Sequence, residues 1–351
     1  MTWSFDAMMR EPAAWLDASG ARSDVILSTR VRLARNVEGE RFPGRASRAD
    51  RERVRERVLD AALRSNYLRN ALVVRMEEAE ESRRQVLVER HLASPELACG
   101  RPGAAVVVGE REIVSAMVNE EDHLRLQCIR SGLQPVDAWR LAGGIESELD
   151  QNLHYAFLSD WGYLTACPTN VGTGMRVSVL AHLAGLARCG RAAQVLGSVS
   201  KLGLSVRGFY GEGTASQGAF FQVSNQPTLG QTEDDIAYTV ERVAGQLSNL
   251  ESEARTQLAH ADRRLADEAW RAWGVLRSAR LLTAGEVMEL GSSLRIGVAE
   301  GIIDAVPLST VNRLLVLTQP GHLAYVKDDA SQEEREALRA DIVRRELATV
   351  Q

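Results

Sequence analysis

Arg207-Gly208-Phe209-Tyr210-Gly211-Glu212-Gly213 sets one arginine and one carboxylate among three glycines. Glycine accepts backbone conformations closed to other residues, so this stretch reads as a hinged loop. Strand-like runs at 206–209 and 219–224 flank it. A loop carrying both charges can close over a substrate and deliver them together. Three upstream strings complement it. They are Ser28-Thr29-Arg30-Val31-Arg32, Asn119-Glu120-Glu121-Asp122-His123-Leu124-Arg125, and Cys167-Pro168-Thr169-Asn170-Val171-Gly172-Thr173-Gly174-Met175-Arg176. Together they supply acids to grip a guanidinium and arginines to grip a polyphosphate.

In this order, and continued through Ser224-Asn225-Gln226-Pro227-Thr228-Leu229-Gly230-Gln231, the strings resemble those of the phosphagen (guanidino) kinases. The bacterial protein-arginine kinase branch resembles the chain most closely, over nearly its whole length. One such string is a weak signal; several in the right order are a strong one. The resemblance implies transfer of the γ-phosphoryl of ATP to a guanidinium nitrogen.

Composition sets the bounds. The 351 residues suffice for one large domain or two ordinary ones. Hydrophobic content of 45% and charged content of 25% are those of a soluble globular protein. A net charge of −5 gives no general reason to bind nucleic acid. No basic segment followed by an apolar run opens the chain, and no apolar stretch reaches membrane-spanning length. Cys99, Cys128, Cys167 and Cys189 show no CxxC spacing, which argues against zinc. A cytoplasmic protein with reduced thiols is expected. Lysine occurs only at Lys201 and Lys327; the other 40 of the 42 Lys and Arg residues are Arg. Codon usage in a GC-rich genome is the plain reading. A kinase carrying many of its own targets is the sharper one. The chain has no P-loop signature and neither of the HRD and DFG motifs, which excludes P-loop enzymes and Ser/Thr/Tyr kinases.

The expected architecture is α+β. A mainly antiparallel sheet flanked by helices is followed by a C-terminal α-helical domain. Strands are expected at 23–34, 71–76, 85–89 and 124–129, with a hairpin over 104–118. Helices are expected at 50–66, 146–154 and 177–187, and from Thr232 to about 250. Thr283-x-x-Glu286 and Ser331-x-x-Glu334 read as capping boxes. Residues 1–22 form a lead, 23–252 the catalytic domain and 258–351 the helical domain. By resemblance the catalytic domain has the guanidino-kinase fold, related to that of glutamine synthetase.

Phosphoryl transfer needs positioning and charge neutralisation more than covalent chemistry. A guanidinium acceptor is protonated, with a pKa above ~12. Two carboxylates can pair with its N–H groups, and one can take a proton as the N–P bond forms. Glu121 and Glu212 are the candidates. The resemblance makes Glu121 the base and Glu212 the loop acid, with Glu120 nearer the metal and phosphates. Alone, the 119–122 string would read as a solvated acidic turn. The resemblance makes Arg30, Arg32, Arg125, Arg176 and Arg207 the phosphate clamp, a task suited to always-charged, forked donors. It adds Ser28, Thr29, Val31, His91, Val177, Ser178, Val179 and Leu180 to the nucleotide site, and Gly208, Phe209, Tyr210 and Gly211 from the loop. ATP is the expected nucleotide. Mg2+ would be held largely by phosphates and water, so no protein cage is expected. Cys167 matches the family's active-site cysteine; a thiolate there would orient the guanidinium electrostatically. A small buried hydrophobe is its plainer reading, as for Cys128 and Cys189.

Arg335-Glu336-Ala337-Leu338-Arg339-Ala340 resembles the phosphoarginine-binding RDxxRA motif, with Glu336 in the aspartate position. Arg335 and Arg339 lie four apart and could grip a phosphate from one face. Otherwise the segment is an ordinary solvated helix. The expected protein is therefore an ATP-dependent protein-arginine kinase acting on accessible arginines. By resemblance, its helical domain dimerises and senses phosphoarginine. Clp protease components, a stress-gene repressor and an activator protein are the implied partners; nucleic acid and membrane are not. A kinase of free arginine or another small guanidino compound is one alternative. A catalytically dead phosphoarginine-binding adaptor is another, disfavoured by the intact Glu121, Glu212 and arginine set. About twenty residues precede the first motif, too few for the enclosing helical domain of small-molecule phosphagen kinases.

Overall fold

Period two builds the centre of the molecule. In Ile26–Arg35, Ser28, Arg30 and Arg32 alternate with Thr29, Val31 and Leu33, and successive side chains of a strand point to opposite faces. That run is β1. The computed structural model describes residues 3–208, 218–261 and 263–348. Its main sheet adds β2 (Leu72–Arg75), β3 (Ala105–Val108), β4 (Val114–Val118), β5 (Leu124–Ser131), β8 (Met175–His182), β9 (Leu204–Gly208) and β10 (Phe220–Asn225). The order is β2-β3-β4-β5-β1-β8-β10-β9, antiparallel at every pairing. A small separate hairpin joins β6 (Phe157–Leu158) to β7 (Gly162–Tyr163).

The helices of the first part are α1 (Phe5–Arg10), α2 (Arg48–Arg64), α3 (Glu81–Glu89), α4 (Pro95–Ala98), α5 (Pro135–Leu153), α6 (Ala184–Arg188), α7 (Ala192–Lys201) and α8 (Glu233–Ala261). Those of the second are α9 (Arg264–Ser278), α10 (Ala284–Ala299), α11 (Leu308–Leu317), α12 (Pro320–Val326) and α13 (Gln332–Ala348). Helices α5 and α8 lie on one face of the sheet, with α2 against α5. They bury Val31, Leu33, Leu126, Cys128, Val177, Val179 and Val223 in the main core. The C-terminal helices close a second core around Trp273, Leu276, Leu294, Leu314 and Val343.

The two parts meet on the opposite sheet face. There Trp15, Leu27, Ile129, Leu180 and Phe220 pack with Met288, Leu315 and Val316. A buried polar lock fixes the junction. Arg295 of α10 donates to the carbonyls of Ser23 and Asp24 and to Nδ1 of His182. Arg255 of α8 donates to Glu251 and to the carbonyl of His182. With Nδ1 accepting, the His182 proton belongs on Nε2, which faces Ser292 Oγ. Burial, then Arg295 and Arg255, hold its pKa well below the usual histidine value.

Two local expectations fail. Residues 85–89 are not a strand but the end of α3, where Val86 and Leu87 pack with Phe5, Met8, Leu92 and Leu97. Tertiary burial overrides the strand preference of the Val-Leu-Val run. Residues 177–187 are not one helix. They continue β8 to His182 before the short α6 begins at Ala184. The alternation from Met175 to Leu180 decides the matter, and the alanine-rich tail supports only the short helix. Helix α5 also begins at Pro135, earlier than expected. Thr232 does cap α8, and Thr283 with Glu286 forms a capping box. Helix α8 runs unbroken through 249–257, and Trp15 of the expected lead is buried.

Candidate active site

Strand register assembles the site on the sheet face away from α5 and α8. Arg32 lies opposite Gln127 on β5 and Arg176 on β8; Arg30 lies opposite Ile129 and Ser178. Ser28 pairs with Leu180, Leu180 with Gln222, and Gln222 with Arg207. Arg125 is opposite Ala34 and Met117. These side chains line one groove. Its widest part, about 610 Å³, is bounded by Arg32, Glu121, Arg125, Cys167, Asn170, Arg176, Arg207 and Gln226. An adjoining part of about 390 Å³ runs over Arg30, His91 and Gln222 to Glu89 of α3 and to Gln319 and Pro320 of the helical part. Beyond lie Ser28, Ser178 and Leu180. A hollow of about 410 Å³ on the other side shares Glu121 and Arg125 and reaches Glu120 and Arg101.

Among the described residues the groove carries more arginine than carboxylate. Like charges directly opposite across strands cost ~0.2–1 kcal/mol, and Arg32 stands opposite Arg176. Among the described residues no carboxylate forms an ion pair with Arg30 or Arg32, and the buried Arg32 Nε has no hydrogen-bond partner. Burial, then Arg125 and Arg176, lower the Arg30 pKa to about 10. Burial, then Arg30, Arg125 and Arg176, hold Arg32 well below its usual value. His91 is pushed down to about 3 by burial and by Arg30 and Arg32, so it is neutral near pH 7. Its ring lies 5.4 Å from that of Trp15. Such a cradle can hold a triphosphate, whose oxygens are negatively charged acceptors for these forked donors.

Carboxylates stand at one edge. Arg125 donates to Glu120 at 2.7 Å and to Glu121 at 3.1 Å. The Glu121 backbone N–H donates to Glu120 Oε2 at 3.0 Å. The turn is pinned from below. Asn119 adopts φ +56°, a region Asn tolerates, and its side-chain amide donates to the carbonyls of Arg51 and Gly103. The fully buried Asp122 accepts from Asn36 Nδ2 at 2.6 Å and from the Ala166 N–H at 2.7 Å. Asp122 thereby ties the acidic turn to the loop that carries Cys167.

That loop is held by the segment after β10. The Thr228 carbonyl accepts from the N–H and hydroxyl of Thr173. Its hydroxyl lies 2.9 and 2.8 Å from the carbonyls of Thr169 and Val171. Asn225 accepts from the Val177 N–H and donates to the Met175 and Pro227 carbonyls. Gly172 has φ +108°, and a Cβ there would sit 2.3 Å from the Thr228 carbonyl oxygen, so only glycine allows this approach. Cys167 is half-buried, with Sγ 3.0 Å from Thr169 Oγ1.

The structure thus brings together Ser28, Arg30, Arg32, His91, Glu121, Arg125, Cys167, Arg176, Ser178, Leu180 and Arg207. It does not bring Thr29, Val31, Val177 or Val179 into the groove. Period two turns Val31, Val177 and Val179 into the core, and Thr29 donates its hydroxyl to the Gly132 carbonyl. Gly208 ends β9 opposite Phe221. Phe209, Tyr210, Gly211 and Glu212 lie outside the described residues. Arg335, Glu336, Arg339 and Ala340 lie on α13. Arg339 donates to the carbonyls of Thr318 and Leu282, Ala340 is in the helical core, and the buried Arg335 Nε has no partner.

Other groove residues had not been singled out. Gln127 and Gln222 were legible from alternation, since they share a face with Arg125 and with Arg207. Glu89, Gln319 and Pro320 carried no such signal, because the Val86–Val88 run reads locally as a strand and the helical part meets the groove only through tertiary packing. Among the described residues no three His, Cys, Asp or Glu side chains gather to hold a metal. Glu120 and Glu121 are carboxylates beside Arg125 at the edge of the groove. Among those residues, too, no helix is long and apolar enough to cross a membrane.

Comparison with known proteins shows the family. Residues 53–254 match the ATP:guanido phosphotransferase C-terminal catalytic domain, and 262–351 match the protein-arginine kinase McsB C-terminal domain. A protein-arginine kinase of Pelotomaculum thermopropionicum is 44% identical over 347 residues, covering 96% of each chain. One of Desulforamulus reducens is 43% identical over 339 residues, covering 95% of each. In fold, the chain resembles the duplicated taurocyamine kinase of Schistosoma mansoni, with a TM-score of 0.60 and 24% identity over 70% of this chain and 35% of that one.

Proposed function

The chain belongs to the ATP:guanido phosphotransferase family, in its protein-arginine kinase branch, and from that premise we propose that it transfers the γ-phosphoryl of ATP to arginine side chains of proteins. One observation carries the reading. Arg125, which lines the arginine cradle, is also ion-paired to Glu121, so the phosphate site and the candidate base share one wall.

The division of labour in this reading joins the family resemblance to the positions of the groove side chains. His91, Ser28 and Leu180 face the nucleoside end. Arg30, Arg32, Arg125, Arg176 and Arg207 hold the phosphates and spread the charge of the transferring group. Glu121 accepts hydrogen bonds from the acceptor guanidinium. As the N–P bond forms and the bond to the ADP oxygen breaks, Glu121 takes the nitrogen's proton. Glu212 is the second carboxylate by family resemblance. Cys167 orients the acceptor electrostatically and forms no bond. Mg2+ would neutralise phosphate charge, and by resemblance Glu120 is the carboxylate that would help hold it.

Further parts of the reading rest on the resemblance. They are homodimerisation, phosphoarginine sensing at Arg335, Glu336, Arg339 and Ala340, an activator protein, a stress-gene repressor as substrate, and marking of proteins for Clp-type proteolysis. For the sensor, the orphan Arg335 Nε supports an anion at this helix, beside an Arg339 that donates to the Thr318 and Leu282 carbonyls.

The test is incubation of wild type and Glu121→Gln with ATP, Mg2+ and an unfolded protein, followed by mass spectrometry. Acid-labile phosphoarginine from wild type and its near absence from the variant are expected. Phosphate on serine, threonine or tyrosine alone would contradict the reading.

A further inference from the structure

Gln319 stands where the helical part meets the groove, and the chain around it is held from both sides. It lies just before α12, and Pro320 opens that helix without a backbone N–H to leave unpaired. On one side Arg339 of α13 donates to the Thr318 carbonyl at 2.8 Å. On the other, Glu89 of α3 accepts from the N–H groups of Gly321 and His322 at 2.6 and 3.0 Å. Gly321 packs so closely on α3 that a Cβ there would sit 2.8 Å from Gln85. The Gln319 amide is set as well. Its Nε2 donates to the Leu315 carbonyl at 2.8 Å and lies 3.9 Å from Met288 Sδ. A carbonyl only accepts, so the nitrogen belongs on that side, and the acceptor Oε1 is the amide's remaining group. Among the described residues no hydrogen bond reaches Oε1. The side chain, 7% exposed, lines the groove.

Room decides what meets that oxygen. The γ-phosphoryl of a bound nucleotide must face Glu121 in the widest part of the groove, so the base lies towards the other end. Two recesses are open there. The one at Ser28, Ser178 and Leu180 has about 20 Å³, space for about one water. The other, of about 390 Å³, joins Arg30 and Arg32 to Gln319 and Pro320 and has space for a purine. Adenine carries a 6-amino group, which donates; guanine and hypoxanthine carry a 6-oxo group, which accepts. We propose that Gln319 reads the nucleobase, its Oε1 accepting from the 6-amino group of adenine, so that the helical part sets a preference for ATP over 6-oxo nucleotides. The proposal rests on ATP as the phosphoryl donor and adds the residue that selects it. A fixed acceptor facing a 6-oxo oxygen leaves both unpaired, which costs more than a missing hydrogen bond.

The test is calorimetric titration of the full chain, without an acceptor, by three nucleotides. They are ATP, ITP with its 6-oxo group, and purine riboside triphosphate with hydrogen in that place. Wild type should bind ATP about three- to ten-fold tighter than purine riboside triphosphate and about ten- to a hundred-fold tighter than ITP. Gln319→Leu keeps the volume and removes the acceptor. It should bind ATP about three- to ten-fold more weakly than wild type and all three nucleotides within about two-fold of one another. Equal affinity of wild type for ATP and purine riboside triphosphate overturns the proposal and needs no variant. So does a Gln319→Leu protein that weakens ATP and ITP by the same factor, which marks a structural role. If the preference is present and Gln319→Leu abolishes it, yet no phosphoarginine forms on an unfolded protein, the transfer reading fails and the base contact stands. If phosphoarginine forms while ATP and ITP bind alike, the base contact fails and the transfer reading stands.

Discussion

At the residue scale, the described part of the groove carries more arginine than carboxylate. Arg32 stands opposite Arg176, its Nε is orphaned, and burial lowers its pKa. Arg32→Gln should therefore leave the nucleotide-free protein as stable or raise its Tm by about 1–2 °C, while greatly reducing the Tm shift produced by ATP. A calorimetric pair with and without ATP decides it; a less stable apo variant with an intact ATP shift would contradict the cradle. Glu121→Gln keeps shape and hydrogen bonding but removes the base, so kcat should fall by ~10²–10⁴ with the fold intact. Cys167→Ser should be milder, because the proposed role is electrostatic. A folded Cys167→Ser protein that binds ATP yet shows no turnover would require a larger one.

At the element scale, two tethers hold the wall that carries Glu121 and Cys167. Asp122 joins the acidic turn to Ala166, and Thr228 holds the loop at Thr169, Val171 and Thr173. Thr228→Val removes the hydroxyl and keeps the volume. Since small misplacement of reacting groups can cost ~10²-fold, kcat should drop well beyond any change in the KM for ATP. Steady-state kinetics at varied ATP checks this; a selective rise in that KM would place the tether's effect at the nucleotide instead. The elements themselves were unevenly legible. Alternation in β1 and β5 and the Thr283–Glu286 box could be read directly, because local chemistry and fold agree there. Helix α3 could not, because Val86 and Leu87 take their helical burial from α1, residue Leu92 and α4, which local sequence does not show. In β8 the alternation was present, but the alanines beyond it favoured a helix.

At the scale of the whole molecule, the arginine and glutamate partners of the groove were legible as ordered strings. Its far wall was not, because Gln319 and Pro320 come from the helical part and meet the groove only through tertiary packing. The same packing buries histidines. His91, His123, His182 and His322 all have pKa values lowered chiefly by burial. An unfolded histidine titrates near ~6.5, so below that pH the unfolded chain takes up protons the folded chain refuses. The stability from burying these rings neutral is complete above that value and is lost as pH falls towards their folded pKa values. Glu112 and Glu300, raised by burial, act in the opposite sense but are fewer. Tm should therefore fall between pH 7 and pH 5; a constant Tm across that window would contradict neutral burial. The central claim is that this groove phosphorylates arginine within a polypeptide. The direct measurement is a competition in which γ-labelled ATP is offered an unfolded protein and a large excess of free L-arginine. The protein should take nearly all the label, as phosphoarginine. Label moving mainly to the free amino acid would contradict the account and leave a small-guanidino kinase in its place.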